Sequence, residues 1–229
     1  MSHYAVAVFH RKDQEIEELL APYDEKIDVE PYIWKTRREA IDYARKYYKS
    51  AMDETDDECW EMMAEGRETD ESGNIYSTYN PKSKWDWWTE GGRYSGCLTI
   101  NGQEVDSGRV GDIDFGVDDD EYRYALDFWD SFVEKTKTDT NDEYHPMWKP
   151  EYYKERYKTR ENYAKIQSQF LTYAVVTPDG EWHAPGKMGW FACSSESDEE
   201  WLDWCEHYKE RFIDAANPDW YLTVVDCHI

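Results

Sequence analysis

Long apolar runs are absent from this chain. Its 229 residues have a mean hydropathy of −0.99, and no stretch comes near the length that crosses a bilayer. The opening Met1-Ser2-His3-Tyr4 lacks a basic-then-apolar secretion signal, so a cytoplasmic protein is expected. Cationic side chains are scarce: 26 Lys and Arg stand against 51 Asp and Glu, a formal charge of −25. A chain so acidic repels nucleic acid and anionic membranes and attracts basic protein surfaces. Neither direct nucleic-acid binding nor membrane binding is therefore expected. Cys-x-x-Cys pairs are missing too. The cysteines Cys59, Cys97, Cys193, Cys205 and Cys227 are scattered and odd in number, which excludes a zinc ribbon and a disulfide framework and suits reduced thiols. No lysine sits where a P-loop needs one, and no serine occupies a Gly-x-Ser-x-Gly elbow. Aromatic residues are the opposite case. With 12 Trp and 19 Tyr the chain has apolar surface enough for a core, which argues against disorder.

The densest stretch is Tyr79-Asn80-Pro81-Lys82-Ser83-Lys84-Trp85-Asp86-Trp87-Trp88, followed by Gly91-Gly92-Arg93-Tyr94-Ser95-Gly96. Asn80-Pro81 opens a turn, and the glycine pair allows backbone angles closed to residues with a Cβ. In an extended segment Trp85 and Trp87 share one face, Asp86 and Trp88 the other. Two uses of the block compete. As structure, the tryptophans plug a core, the glycines bend the chain into a strand, and Arg93 pairs with a buried carboxylate. As a ligand site, Gly91, Gly92 and Arg93 cradle a phosphate or carboxylate while a tryptophan stacks on a base. The block resembles a family of poorly characterised proteins from phages and prophages of Gram-positive bacteria. Leu20-Ala21-Pro22-Tyr23-Asp24-Glu25, Pro178-Asp179-Gly180-Glu181-Trp182-His183, and Asn217-Pro218-Asp219-Trp220 through Asp226-Cys227-His228 carry the same likeness, which spans nearly the whole chain. The resemblance implies a phage-encoded protein working inside a host bacterium, and it brings no catalytic residues with it.

In chain order, His3 to His10 reads as a buried strand. A loop through Pro22 and Pro31 leads to a Thr36/Glu39 capping box. The helix it starts carries Ala40, Ile41, Ala44, Tyr47, Tyr48 and Ala51 on one stripe and runs on towards Met63. Glu65 to Tyr79 reads as a loop. Cys97 to Ile100 and Gln103 to Val105 flank Asn101-Gly102, a hairpin with a type I′ turn. Asp118-Asp119-Asp120-Glu121 opens a helix with Tyr122, Ala125, Leu126, Trp129, Phe132 and Val133 on its buried side, and acids there suit the helix dipole. The spacing from Asp112 onward does not fit a calcium loop. A linker from Thr136 to Pro150 precedes a Tyr/Lys/Arg-rich helix from Glu151 to Gln167, the one locally basic segment. Phe170 to Thr177 is a second strand that turns at Pro178-Asp179-Gly180 into an arm reaching Trp190-Phe191-Ala192. Ser197 caps a last helix, and Trp220 to His228 returns as a terminal strand beside the first. This order implies one α+β domain over 1–229, an antiparallel sheet with helices chiefly on one face, ferredoxin-like with insertions.

On the terminal strand Asp226 and His228 share a face with Leu222 and Val224. With His183, and His3 or His10 from a neighbouring strand, they could hold a metal or act as acid and base. No metal or other cofactor is assigned. Cys227, whose side chain faces away from His228, and Ser95 are the weaker nucleophile candidates. Deleting Asp226 to Ile229 is expected to remove a polar end and weaken the fold moderately, whereas deleting Trp220 to Ile229 abolishes soluble expression.

The leading functional expectation is a non-catalytic accessory protein. It binds and inhibits a basic, nucleic-acid-handling host defence protein, as an anti-CRISPR protein does, by mimicking nucleic acid. Asp112, Asp114, Asp118, Asp119, Asp120 and Glu121 are its candidate interaction surface. The alternative is a nucleotide-binding protein or small hydrolase that uses Trp85, Trp87, Trp88, Arg93 and His183.

Overall fold

The computed structural model describes residues 2–136, 146–189 and 193–229. Trp190-Phe191-Ala192 and most of the linker expected between Thr136 and Pro150 lie outside the described residues. The chain begins with strand β1 (His3–His10), helix α1 (Ile16–Leu20), strand β2 (Asp28–Lys35), helices α2 (Arg37–Tyr47) and α3 (Asp56–Ala64), and strands β3 (Ile75–Tyr79) and β4 (Trp87–Glu90). Strands β5 (Leu98–Ile100), β6 (Gln103–Val105) and β7 (Ser107–Arg109) follow, then helices α4 (Asp119–Phe128), α5 (Pro150–Tyr157) and α6 (Arg160–Ser168). Strands β8 (Ala174–Val176) and β9 (Trp182–His183), helix α7 (Asp198–Tyr208) and strand β10 (Tyr221–His228) complete it. The protein is α+β. No helix among the described residues is long and apolar enough to cross a membrane.

Two compact units result, one from Met1–Pro22 with Lys84–Ile229 and one from Tyr23–Ser83. The larger is built on a mixed sheet of order β4-β10-β1-β8-β9, with β7 also paired to β10. The last strand lies antiparallel beside the first, from His3↔His228 to His10↔Tyr221. Beyond β1 the order departs from a ferredoxin-like sheet. The strand parallel to β1 is β8, and the outer strand β9 follows β8 in the chain instead of preceding it. Pro178-Asp179-Gly180 makes a turn too short for anything but an adjacent antiparallel partner.

Alternate residues of the central strands, Ala5, Ala7, Phe9, Leu222 and Val224, pack with Val175 against Leu202, Trp204, Cys205 and Tyr208 of α7. The other face is buried as well, with Val6, Val8 and Val225 fully covered. A strand covered on both faces has no reason to alternate, and β1 accordingly reads as an unbroken apolar run. The long basic helix is in fact two. Lys158 adopts a positive φ of 64°, and Thr159 then accepts the Asn162 N–H to start α6. Its two arginines are held within the chain: Arg156 meets Asp198 at 2.9 Å and Arg160 grips both oxygens of Asp130 at 2.6 and 2.7 Å.

The Tyr23–Ser83 unit has its own core of Ala40, Ile41, Ala44, Ala51, Cys59, Met63 and Ile75. Tyr47 and Tyr48 are exposed there, because α2 stops at Tyr47 and a second capping box, Thr55 with Glu58, begins α3. Two expected loops are strands. β2 pairs with β3 despite Pro31, which a two-stranded ladder accommodates through a register shift between Asp28 and Tyr32.

Candidate functional site

At one end of the main sheet the face that buries Ala5, Ala7, Leu222 and Val224 turns polar. The residues of the same parity there are His3 on β1 and Asp226 and His228 on β10, with His3 directly opposite His228. Ser2 and Ile229 exchange both backbone hydrogen bonds at 3.1 Å, so His3 and His228 form the next, non-hydrogen-bonded pair. Side chains of such a pair lie closest together. Their imidazole rings meet edge to face with centroids 5.0 Å apart. β4 extends the row by placing Trp87 opposite His228 and Thr89 opposite Asp226. The Trp87 indole stacks on the His228 ring at 5.1 Å and 14°, and meets His3 edge-on at 5.4 Å.

Each imidazole is anchored by its own carboxylate. His3 Nδ1 lies 2.9 Å from Asp226 Oδ1, and His228 Nδ1 lies 2.6 Å from Asp86 Oδ1. An ionised carboxylate only accepts, so each Nδ1 carries the proton and the neutral ring keeps its lone pair on Nε2. Neither Nε2 has a partner among the described residues. The side chains of Asp226 and His228 are 2% and 7% exposed, His3 12%, Asp86 26%. Trp87, 40% exposed, forms the open side.

The Gly-Gly-Arg-Tyr-Ser-Gly segment closes around carboxylates of its own chain. The Arg93 N–H donates to Asp226 Oδ2 at 3.1 Å. Gly96 N–H and Ser95 Oγ donate to the two oxygens of Asp106 at 2.6 and 3.0 Å. Gly92 is where a glycine is required: φ is +56°, and a Cβ would stand 2.6 Å from Asp226 Cβ. These donors are therefore occupied, and the expected phosphate cradle is instead a socket that fixes Asp226. The Arg93 side chain is exposed, with no acidic partner among the described residues, so it is not the buried ion pair that a structural use called for.

Other expected site residues go elsewhere. Trp85 is buried, its indole N–H without an acceptor, and Trp88 pairs in register with Cys227 on the opposite face. His183 lies exposed on β9 against Phe212, in register with Val175, which itself aligns with Ala7. That is four residues along the sheet from His3, or about 13 Å. His10 bonds Thr223 at 3.1 Å. Cys227 is fully buried, and burial, with Asp226 next, pushes its thiol well above the usual range, so it is not a poised nucleophile. Asp86 was missed. The alternation rule turned it away from Trp87, but β4 begins only at Trp87, and the residue before it is free to reach His228.

All six acidic candidates are exposed. Asp118 caps α4 by accepting from Asp120 and Glu121 N–H, Asp114 accepts from Gly116 N–H, and Asp112 and Asp120 pair with Arg109 and Arg123. No cluster of three or more metal-ligating side chains occurs among the described residues. No protein-family model, curated protein or solved structure matches this chain.

Proposed function

We propose that His3 and His228 are the acid–base pair of a small hydrolase or transesterase acting on a nucleotide-sized anionic ester. The observation that carries this reading is that both imidazoles have Nδ1 fixed on a carboxylate and Nε2 free, side by side on one sheet face. In such a pair the neutral ring takes the proton of the attacking hydroxyl through Nε2, and the protonated ring gives its Nε2 proton to the departing oxygen. The attacking hydroxyl loses its O–H bond as its oxygen bonds the electrophilic centre of the ester. The bond from that centre to the departing oxygen breaks as that oxygen gains an O–H bond, and the rings end with exchanged protonation. Asp226 and Asp86 hold the tautomers and stabilise whichever ring is charged. Trp87 gives the substrate ring a stacking surface, and the unpaired Arg93 guanidinium answers its negative charge. The chain's charge of −25 favours a small substrate over a polyanion.

The test uses bis(4-nitrophenyl) phosphate and 2′,3′-cyclic nucleotides as substrates. Wild type should turn over at least one, with a bell-shaped pH profile, and His3→Ala and His228→Ala should each lose about 10²–10⁴-fold in kcat while still melting cooperatively, at a temperature lowered by the stranded Asp226 or Asp86 carboxylate. Absence of turnover, or variants as active as wild type, sinks the reading.

A second reading rests on a different observation, the exposure of all six acids from Asp112 to Glu121 in so acidic a chain. Under it the protein, phage-encoded as the sequence resemblance implies, occupies the basic groove of a nucleic-acid-handling host protein.

A further inference from the structure

A separate cavity of about 350 Å³ opens at the other end of the same sheet, where β1 and β8 finish. These two strands are parallel neighbours, from Val6↔Ala174 to Val8↔Val176, so both chains leave the sheet at this end. Crevices outside the carboxyl ends of parallel strands are a recurrent place for ligands. Arg11 follows β1 and the Thr177-Pro178-Asp179-Gly180 turn follows β8. Aromatic rings form part of its wall: Phe9, Phe212 and Trp220 line it, with the His183 ring 5.4 Å from Phe212. The volume is at the lower end of what small-molecule sites occupy.

The charges decide the ligand. Arg211 is held by Asp203, Nη1 to Oδ2 at 2.9 Å. Arg11 has no carboxylate partner among the described residues; its guanidinium approaches only the Pro178 carbonyl, at 3.4 Å. An arginine without an acid is notable where acids outnumber bases 51 to 26. Asp179, the acid in the lining, is engaged by the Thr177 hydroxyl and by backbone N–H groups, which hold its carboxyl below the usual range. We infer that this cavity binds a small planar organic anion, an aryl carboxylate or aryl phosphate, with its ring against Phe212 and Trp220 and its charged head on Arg11. Guanidinium forks suit both heads, and the aromatic walls exclude a free inorganic ion as the preferred occupant. The site is independent of the His3/His228 pair.

The experiment is a ¹⁹F NMR line-broadening titration of the intact protein with 4-fluorobenzoate, 4-fluorophenyl phosphate and neutral 4-fluorobenzamide. One or both anions should bind at millimolar concentration or below, the amide at least tenfold more weakly. Arg11→Ala should weaken the bound anion about tenfold and leave the melting temperature unchanged, because the exposed Arg11 side chain has no carboxylate to strand. Trp220→Leu should weaken all three probes. The anion that binds more tightly identifies the head group. No broadening by either anion up to 10 mM (roughly the weakest affinity worth the name), equal binding of the amide, or an unchanged Arg11→Ala each overturns the inference. His3→Ala must bind the anions as wild type does; loss there would join the two sites and also refute it.

Discussion

Among single residues Gly92 is the one on which most of the candidate site turns. It combines a left-handed backbone with the closest approach to the Asp226 side chain, and Asp226 in turn fixes the His3 tautomer. Gly92→Ala should lower stability by about 2–4 kcal/mol, from strained backbone together with a displaced carboxylate. Gly102 offers the control. Its φ is +76° with nothing within 4 Å of a Cβ, so Gly102→Ala carries the backbone penalty alone, roughly 1 kcal/mol. Thermal unfolding compares the two, and ¹⁵N chemical shifts of the His3 ring report whether the proton has left Nδ1. Equal melting temperatures for both variants, with unchanged ring shifts, would remove Gly92 from the account of the site. The same residue shows why a Gly-Gly-Arg motif alone does not reveal its use. The backbone donors fit a carboxylate as well as a phosphate, and only the position of Asp226 decides which one they hold.

Among elements β10 carries the most. It lies between β1 on one side and β4 and β7 on the other, so its last residues are interior to the sheet. Asp226, Cys227 and His228 are buried, which changes the expectation that they form a dispensable polar end. Deleting Asp226–Ile229 removes ladder bonds to two strands, the buried Cys227 side chain and a carboxylate holding two donors. We expect a loss on the order of 4–7 kcal/mol, comparable to the total stability of many domains. The truncated chain should therefore show no cooperative melt. A truncation that melts within about 3 °C of wild type, a shift worth only about 1 kcal/mol, would make this end peripheral.

On the scale of the whole molecule the excess of negative charge governs any meeting with a macromolecule. Reversing Asp118 would confuse two effects, since it caps α4, and Asp120 already pairs with Arg123. Asp119 and Glu121 are exposed and hold neither role. If the acidic run is an interface, the immobilised protein should retain basic nucleic-acid-binding proteins from bacterial lysate at ~50 mM salt and release them by ~500 mM, as screening shortens the reach of surface charge. Asp119→Lys with Glu121→Lys should reduce retention several-fold while lowering the melting temperature only slightly, since two lysines in the first turn oppose the α4 dipole. Retention indifferent to salt or to the double reversal would move the interface elsewhere.

Wherever neighbours in the chain suffice, the sequence alone determined the structure. The Thr36 and Ser197 capping boxes, the Asn101-Gly102 hairpin with both residues at positive φ, the β1 run and the parity of Leu222, Val224, Asp226 and His228 all follow from local sterics and period. The α+β class followed from their order. Half of the candidate site was legible in that parity, and His3 was within the set of histidines named for it. The tertiary structure alone decided which histidine came. His3 faces His228 because the first and last strands align end to end, while His10 sits at the other end of β1 and His183 lies on β9, level with Ala7. It alone decided that Asp86, just ahead of a strand, completes the pair and that the glycine loop grips Asp226. Register between strands more than 200 residues apart in sequence is set by which apolar faces can be buried together, and no local pattern encodes it.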